Sequence, residues 1–204
     1  MRDLTAALVV AVSLFAAMAA CRADPLIFDY RGFHVDLSTA RGTMPDAKMI
    51  AAVRRQIDPI EQVKLKPDVI AFMRTVKIWA NPKETRTGPG HYARATGIDL
   101  RMPLLDDKKP ILLHEMLHAF HDQKLPAGFA NADIKTFYQR GKSAGWRQDS
   151  YMMSNDHEFF ATTASVYLYG DIPRPPESRQ QLRAKQPQYY QRLADLFDDG
   201  RARP

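Results

Sequence analysis

The sequence predicts an α+β fold in which one small mixed sheet is followed by a helical C-terminal half. Short segments that alternate apolar and polar residues, bounded by glycine or proline, lie before residue 103, and such alternation is typical of half-buried strands. Beyond residue 110, segments of helical length with capping residues follow one another to about residue 198. Strands grouped before helices favour the α+β class.

The first half of the chain contains the predicted strands and one clear helix. The strand-like segments are residues 26–37, which form two strands broken at Arg31–Gly32, residues 75–79 and residues 96–102. A helical pattern runs from about Asp46 to Gln62, and Pro67 begins a further segment. Residues 81–90 contain two prolines and two glycines and are predicted to form a loop.

The second half is predicted to be helical. The four expected helices run from Pro110 to about Lys124, from Asn131 or Asp133 to Lys142, from Asn155 to near Gly170, and from about residue 185 to residue 198. Proline suits the first turn of a helix, and asparagine and aspartate are good N-caps. The arginine- and proline-rich residues 201–204 are expected to be a solvated end.

The composition is that of an ordinary folded domain. Of 204 residues, 45% are hydrophobic and 25% are charged, which excludes a disordered or collagen-like chain. A chain of this length buries a sizeable core without a disulfide or metal staple. The net charge is +6, but the basic residues are scattered, so no nucleic-acid partner is expected.

The N-terminus resembles a secretory signal peptide, assigned to residues 1–23. Residues 4–20 are apolar and uncharged, and Arg2 precedes them; an uncleaved anchor is the alternative. The single cysteine, Cys21, ends a loose match to a lipoprotein box that begins at Met18. Cleavage before Cys21 would leave it lipid-bearing, and cleavage after Ala23 would remove it. Residues 24–204 are predicted to be one domain, secreted or periplasmic, with lipid anchoring at the outer membrane as the alternative.

The predicted helix after Pro110 carries a metal-binding motif. Residues 114–118 read His-Glu-Met-Leu-His, which places two imidazoles one turn apart on one helix face, suited to a single zinc ion. The composition predicts roughly 0.004 such motifs by chance. Five apolar residues occupy the opposite side: Leu112, Leu113, Met116, Leu117 and Phe120. We therefore expect one face to pack in the core and the other to present ligands; two polar surface histidines are the alternative.

The third ligand decides the subclass of metal site. A longer pattern with glycine at 121 and histidine at 124 is excluded, because the chain has His121 and Lys124. The best downstream carboxylate is Glu158, which shares a helix face with polar residues at 162, 165 and 169. Glu158 also completes a capping-box pattern with Asn155, so the alternative is that it caps the helix and does not bind the metal. Other candidate ligands are His157, Asp156, Asp149 and Asp171.

Residues 114–122 and 158–161 resemble the gluzincin metallopeptidases, in particular the anthrax lethal-factor-like catalytic domains and the Pro-Pro endopeptidases. Glu158 follows His118 by forty residues, and residues 32–35 and 76–79 show a looser likeness. The resemblance implies a zincin-like domain with Zn²⁺ as its cofactor, held by His114, His118 and Glu158. It also implies that a tyrosine seven residues before the ligand glutamate, here Tyr151, supports the transition state.

One position departs from the family pattern. Relatives often carry an acidic residue four positions after the ligand glutamate, and this chain has Thr162 there. A hydroxyl group supplies no negative charge to orient the ligand histidines. Asp122, His121 and Asp99 are the candidates to compensate.

The expected function is hydrolysis of peptide bonds by an exported zinc metalloendopeptidase. Glu115 would accept a proton from a zinc-activated water, Tyr151 would donate a hydrogen bond to the oxyanion, and an extended peptide or protein substrate would pair with the edge of the strand at residues 98–102. A monomer is expected, with the membrane contacted only through a lipid on Cys21. The alternative is a zinc-binding interaction protein with little proteolytic activity.

Overall fold

The computed structural model describes residues 26–82, 88–105, 109–172, 176 and 178–204. The predicted signal peptide and Cys21 lie outside these residues, as does part of the predicted loop, residues 83–87. In the part of the chain that is described, no helix combines the length and the apolar character needed to cross a membrane.

The sheet has five strands and is mixed, as predicted. The strands are β1 (Ile27–Tyr30), β2 (Phe33–Asp36), β3 (Ile78–Ala80), β4 (Gly90–Ala93) and β5 (Gly97–Leu100). Their order across the sheet is β1-β2-β3-β5-β4. The central pairs, β2 with β3 and β3 with β5, are parallel, whereas the outer pairs are antiparallel. One antiparallel hairpin therefore lies at each edge of the sheet.

Local backbone chemistry shapes both hairpins. Tyr30 pairs with Phe33, so the β1–β2 turn has two central residues, and both Arg31 and Gly32 have positive φ angles (50° and 81°). These are the properties of a type I′ turn, and the break predicted at Arg31–Gly32 is confirmed. In the β4–β5 hairpin, Gly97 has a φ of +84°, and a Cβ atom there would lie 2.4 Å from the carbonyl oxygen of Lys77. Only glycine permits this close approach of the two backbones.

Seven α-helices are present in the described residues. They are α1 (Asp46–Gln62), α2 (Pro67–Thr75), α3 (Ile111–Lys124), α4 (Ala132–Ser143), α5 (Asp156–Tyr169), α6 (Arg179–Lys185) and α7 (Pro187–Phe197). The side chain of Asn131 accepts the backbone N–H of Ile134 at 3.0 Å, and that of Asn155 accepts the N–H of Glu158 at 2.9 Å. Both asparagine caps predicted from the sequence are confirmed, and Asn131 rather than Asp133 begins α4.

Two strand boundaries differ from the predictions. The strand predicted at residues 75–79 is shifted: helix α2 continues to Thr75, and only Ile78–Ala80 form a strand. The prediction failed because an alternation over five residues does not distinguish a helix end from a strand. Strand β4 begins at Gly90, inside the predicted loop. Its glycine and the polar residue His91 gave it no strand pattern.

The predicted last helix, residues 185–198, corresponds to α7 (Pro187–Phe197), and the short helix before it, α6 (Arg179–Lys185), was not predicted. Gln186 lies between them with φ −141° and ψ 66°, because proline at 187 disfavours a helical conformation in the preceding residue. Proline is then well placed at the first position of α7.

Helix α3 lies at the centre of the molecule. It contacts α1, α2 and α5 on the helical side and β4 and β5 on the sheet side. The sheet packs its fully buried side chains into the same core: Phe33, Val35, Ile78, Ala80, Ile98 and Leu100. All twelve residues from Ile111 to Asp122 are buried. The face that carries the histidines is therefore buried as well, because α5 and β4 cover it.

The predicted solvated end, residues 201–204, is exposed at Arg201, Ala202 and Pro204 but anchored at Arg203. The guanidinium of Arg203 donates to the carboxylate of Asp198 and to the backbone carbonyls of Val63 and Leu168. The hydroxyl of Tyr190 donates to the carbonyl of Arg203 at 2.7 Å. Arginine suits this position because its planar group satisfies several carbonyl oxygens near helix C-termini at once.

Candidate metal centre

Three side chains from α3 and α5 converge on one point. The Nε2 atoms of His114 and His118 are 3.2 Å apart. One carboxylate oxygen of Glu158 lies 3.1 Å from Nε2 of His114, and the other lies 3.4 Å from Nε2 of His118. The structure thus brings together the three residues that the sequence predicts as ligands.

Helix geometry and helix packing place these groups. His114 and His118 are separated by one helical turn, so their rings project from the same side of α3. Helix α5 packs against that side, and Glu158 lies in its first turn. Asn155 caps the backbone N–H of Glu158, while both carboxylate oxygens of Glu158 face the histidines. The capping pattern and the ligand position therefore coexist.

The donor set fits a divalent metal ion. A tetrahedral ion with bonds of about 2.0–2.1 Å separates its ligand atoms by about 3.3 Å, and the three separations here are 3.1 to 3.4 Å. Two imidazole nitrogens and a carboxylate are also typical ligands of a catalytic metal. Burial alone would raise the pKa of Glu158, but hydrogen bonds from His114 and His118 outweigh it and hold that pKa well below its ordinary value.

Glu115 lies on α3 next to the first histidine and is buried, with 8% of its surface exposed. The backbone of β4 lies directly against it. A Cβ atom on Gly90 would be 3.0 Å from Cγ of Glu115 and 3.3 Å from its Oε1. Only a residue without a side chain fits between β4 and this carboxylate, a contact that the sequence analysis missed.

Tyr151 lies beside the histidine cluster. It begins a short 3₁₀ turn, Tyr151–Met153, just before α5. Its ring centroid is 6.2 Å from that of His114, and 53% of its surface is exposed. The alternative interpretation of Tyr151 as a buried core residue is wrong, and its role in the transition state stays a prediction.

The other candidate ligands lie outside the cluster. Among the described residues, the only group of three or more ligand-type side chains that could hold a metal is His114, His118 and Glu158. The ring of His157 instead stacks on Phe129, with centroids 4.0 Å apart. Asp149 pairs with Arg147 at 2.9 Å on the surface.

The three residues expected to compensate for Thr162 are engaged elsewhere or make no hydrogen bond. Arg94 and Tyr92 donate to the carboxylate of Asp122. The carboxylate of Asp99 is bonded to the side chains of Asn81 and His91. Neither ring nitrogen of His121 has a hydrogen-bond partner within the described ranges.

The strand expected to bind substrate is not an edge strand. Residues 98–100 belong to β5, which pairs with β3 on one side and with β4 on the other. The expectation is wrong because strand order is a non-local property, and β4, which begins at the last residue of the predicted loop, was not predicted. The edge that lies beside Glu115 is β4.

Comparison with known proteins agrees with this geometry. The curated Pro-Pro endopeptidase of Paenibacillus alvei is 29% identical to the chain over 85 residues, which are 42% of this chain and 37% of that protein. The solved structure of the Pro-Pro endopeptidase PPEP-2 from Paenibacillus alvei superposes with a TM-score of 0.55 at 20% identity. The superposition covers 80% of this chain and 97% of that one.

The chain has the fold of a Pro-Pro endopeptidase. The resemblance predicted from residues 114–122 and 158–161 is confirmed. The sequence match spans 37% of the length of the curated relative. No protein-family model matches the chain.

His121 gives a prediction for acid stability. It is fully buried, and burial, assisted by nearby His157 and His118, lowers its pKa to about 4. The same side chain in an unfolded chain takes up a proton near pH 6.5. The unfolded state therefore binds more protons between these values, and the free energy of unfolding falls as the pH falls from about 6.5 to about 4.

Between pH 7.5 and pH 5, the wild type should lose about 2 kcal/mol of its free energy of unfolding through protonation of His121 in the unfolded state. We expect His121→Leu to remove this loss. Urea unfolding of both proteins at the two pH values, with a chelator present, measures it. His34→Leu, which changes an exposed histidine of β2, should keep the loss seen in the wild type. An identical loss in His121→Leu and wild type would assign the pH dependence to other groups.

Proposed function

We propose that the protein is an exported zinc metalloendopeptidase whose metal is held by His114, His118 and Glu158. The observation that carries the proposal is the convergence of these three donors beside Glu115, in a chain with the fold of a Pro-Pro endopeptidase. The curated relative supports the same activity, because it is an endopeptidase that matches the chain in sequence.

Zinc is the metal that best suits this donor set. Two neutral imidazoles and one carboxylate form the ligand set of many catalytic zinc sites. When bound, zinc supplies the Lewis acidity that lowers the pKa of a water molecule towards ~7. The histidine rings and the carboxylate of Glu158 would hold the ion, and Glu115 lies on the same helix next to His114.

Glu115 is the proposed general base. Its carboxylate accepts a proton from the attacking water and transfers that proton to the leaving amine. Its burial, and the contact of β4 with its side chain, restrict the positions that the carboxylate can adopt. A restricted carboxylate favours this transfer because proton transfer requires hydrogen-bond distance.

Tyr151 is the proposed oxyanion donor. Its ring lies beside that of His114, and about half of the residue's surface (53%) is exposed next to the cluster. A phenolic hydroxyl that donates to the carbonyl oxygen as negative charge develops stabilises the transition state more than the ground state.

The substrate is a peptide or protein in an extended conformation. We propose that it pairs with the edge of β4, which lies beside Glu115, by strand addition. Because the relatives are Pro-Pro endopeptidases, a Pro–Pro bond is the first bond to test. For location we propose export by the signal peptide of residues 1–23, with Cys21 either lipidated or removed.

A zinc-binding interaction protein with little proteolytic activity is the second candidate. Thr162 favours it, because this buried residue stands where relatives often have an acidic group and brings no negative charge to the ligand histidines. The presence of Glu115 favours the peptidase, since a binding protein has no need of a general base.

Removal of one histidine tests the metal site. His118→Ala should reduce bound zinc sharply, because two ligands seldom hold a catalytic ion well. Metal analysis of purified protein after dialysis against a weak chelator measures this. His34→Ala, at an exposed histidine of β2, should keep one zinc per chain. Equal zinc content in both variants would place the metal elsewhere.

Glu115→Gln separates binding from catalysis. The variant should bind zinc as the wild type does but lose cleavage of a peptide library by orders of magnitude, because an amide cannot accept the proton. Glu61→Gln, at a surface residue that pairs with Arg74, serves as the control. A wild type that binds zinc and cleaves no peptide would favour the interaction protein.

Tyr151→Phe tests the oxyanion donor. We expect kcat to fall about a hundredfold, which corresponds to about 3 kcal/mol, while KM and zinc content stay nearly unchanged. Tyr169→Phe changes another exposed tyrosine, on α5, and should leave kcat unchanged. Full activity of Tyr151→Phe with a lowered melting temperature would show a structural role instead.

A further inference from the structure

The edge strand β4 is attached to the sheet on one side only. It pairs with β5, and its other edge has no partner strand within the described residues. Its remaining attachment is to α3, the helix that carries the histidines and Glu115. The position of β4 relative to α3 therefore sets the distance between the free strand edge and the cluster.

The first contact of β4 with α3 lies at the start of the strand. A Cβ atom on Gly90 would be 2.9 Å from Cγ2 of Ile111 and 3.0 Å from Cγ of Glu115. Both distances are too short for a real side chain, so the backbone itself rests on the helix at this point.

The second contact lies just beyond the end of the strand. The guanidinium of Arg94 donates from Nε to one carboxylate oxygen of Asp122 at 2.8 Å, and from Nη2 to the other at 2.6 Å. The same Nη2 reaches the backbone carbonyl of Asp122 at 2.6 Å. The hydroxyl of Tyr92 adds a hydrogen bond to the carboxylate at 2.8 Å. We call Tyr92, Arg94 and Asp122 the β4–α3 clamp.

The two contacts fix the register of the strand along the helix. Residues 90 and 92 lie on one face of β4, because side chains alternate along a strand, and Arg94 follows in the turn after the strand. Glu115 and Asp122 are seven residues apart and lie within about 20° on one side of the helix. Seven helical residues span about 10.5 Å, and four extended residues span about 13 Å. The strand thus runs along α3 in the same direction, held at both ends.

The clamp is strong for a contact at a surface. Asp122 is 9% exposed, and its carboxylate receives two parallel donors from a planar guanidinium, the strongest type of side-chain ion pair. Arg94 and Tyr92 favour the charged carboxylate, and the pKa of Asp122 lies below its ordinary value, the bond from Arg94 being the largest cause.

We propose that the β4–α3 clamp positions the edge strand for peptide binding, so that Arg94 is a positioning residue for the substrate. The inference rests on the proposed function, because it takes the free edge of β4 as the surface on which the peptide pairs. Neither Arg94 nor Asp122 touches the metal ligands in this arrangement; the clamp acts by keeping β4 seated against Glu115.

A positioning role predicts a specific kinetic change. Without the clamp, β4 is in contact with α3 in only a fraction of the molecules. The apparent affinity for substrate falls in proportion to that fraction. A peptide that has bound holds the strand in the seated position, so the chemical step proceeds at its usual rate. KM should therefore rise while kcat is maintained.

The variant Arg94→Lys tests this inference on the zinc-loaded protein. Lysine keeps the positive charge but loses the planar pair of donors. Because the side chain of Arg94 is largely exposed, we expect the variant to fold. The opposite edge of the sheet supplies a matched control. There the hydroxyl of Tyr30 and the guanidinium of Arg31 donate to Asp58 on α1, at 2.9 and 2.7 Å. Arg31→Lys weakens the same kind of pair far from the cluster.

Two measurements are made on both variants. Amide hydrogen exchange over residues 90–93 should be about tenfold faster in Arg94→Lys, since loss of one charge-assisted bond costs about 1.4 kcal/mol or more. With the peptide that the wild type cleaves best, KM should rise by a smaller factor than the exchange rate, because the seated fraction falls less than the opening constant rises, and kcat should change by less than about twofold. Arg31→Lys should match the wild type in both measurements.

The outcomes distinguish this inference from the proposed function. Unchanged exchange in β4, or an unchanged KM in an active enzyme, overturns the inference and leaves the proposed function standing. Equal losses of activity in Arg94→Lys and Arg31→Lys also overturn it, because they indicate a general loss of stability. A wild type that cleaves nothing refutes the proposed function, and the exchange measurement alone then decides whether the clamp seats β4.

Discussion

The burial of α3 on all sides is the constraint on which the rest of this structure depends. A fully buried helix normally carries apolar residues all round, yet α3 carries His114, Glu115, His118 and Asp122 within two turns. Polar and charged groups removed from water need partners, or the free energy of unfolding falls by several kcal/mol. Two neighbouring elements bring charged partners to α3: Glu158 of α5 faces the histidines, and Arg94, just after β4, pairs with Asp122. The arrangement of the fold around α3 and the chemistry of its cluster are consequences of the same requirement.

Features that depend on neighbouring residues could be predicted from the sequence. The two histidines share a helix face because of helical geometry alone, and the caps at Asn131 and Asn155 depend on the next three residues. The last helix was predicted to begin at residue 185, two residues before α7, and α6 was missed, although proline at 187 disfavours a helical Gln186. The sequence was sufficient there, and the error was one of interpretation.

Features that depend on distant pairing could not be predicted in the same way. Strand β4 has only four residues, and its glycine contributes no strand pattern, because its function is to bring the backbone against Glu115. The order of β3, β5 and β4 follows from contacts across the sheet, so local sequence patterns do not decide which strand is the edge. Arg94 looks like any surface arginine until Asp122, 28 residues away, is placed beside it. The carboxylate of Asp122, one of the groups expected to support the metal ligands, instead accepts hydrogen bonds from Tyr92 and Arg94.

The distribution of charge explains why a neutral Thr162 is compatible with this site. A buried cluster is most stable when its formal charges nearly cancel. A divalent ion held by two neutral histidines and Glu158 would have one positive charge left, and an ionised Glu115 next to His114 would supply a balancing negative charge. Asp122 adds no imbalance, because Arg94 neutralises it at 2.6 Å. A further carboxylate in place of Thr162, which is fully buried, would leave one unpaired negative charge in the interior. The hydroxyl at 162 therefore follows from the charge balance that Glu115 and the clamp already provide, and it does not by itself indicate loss of the metal site.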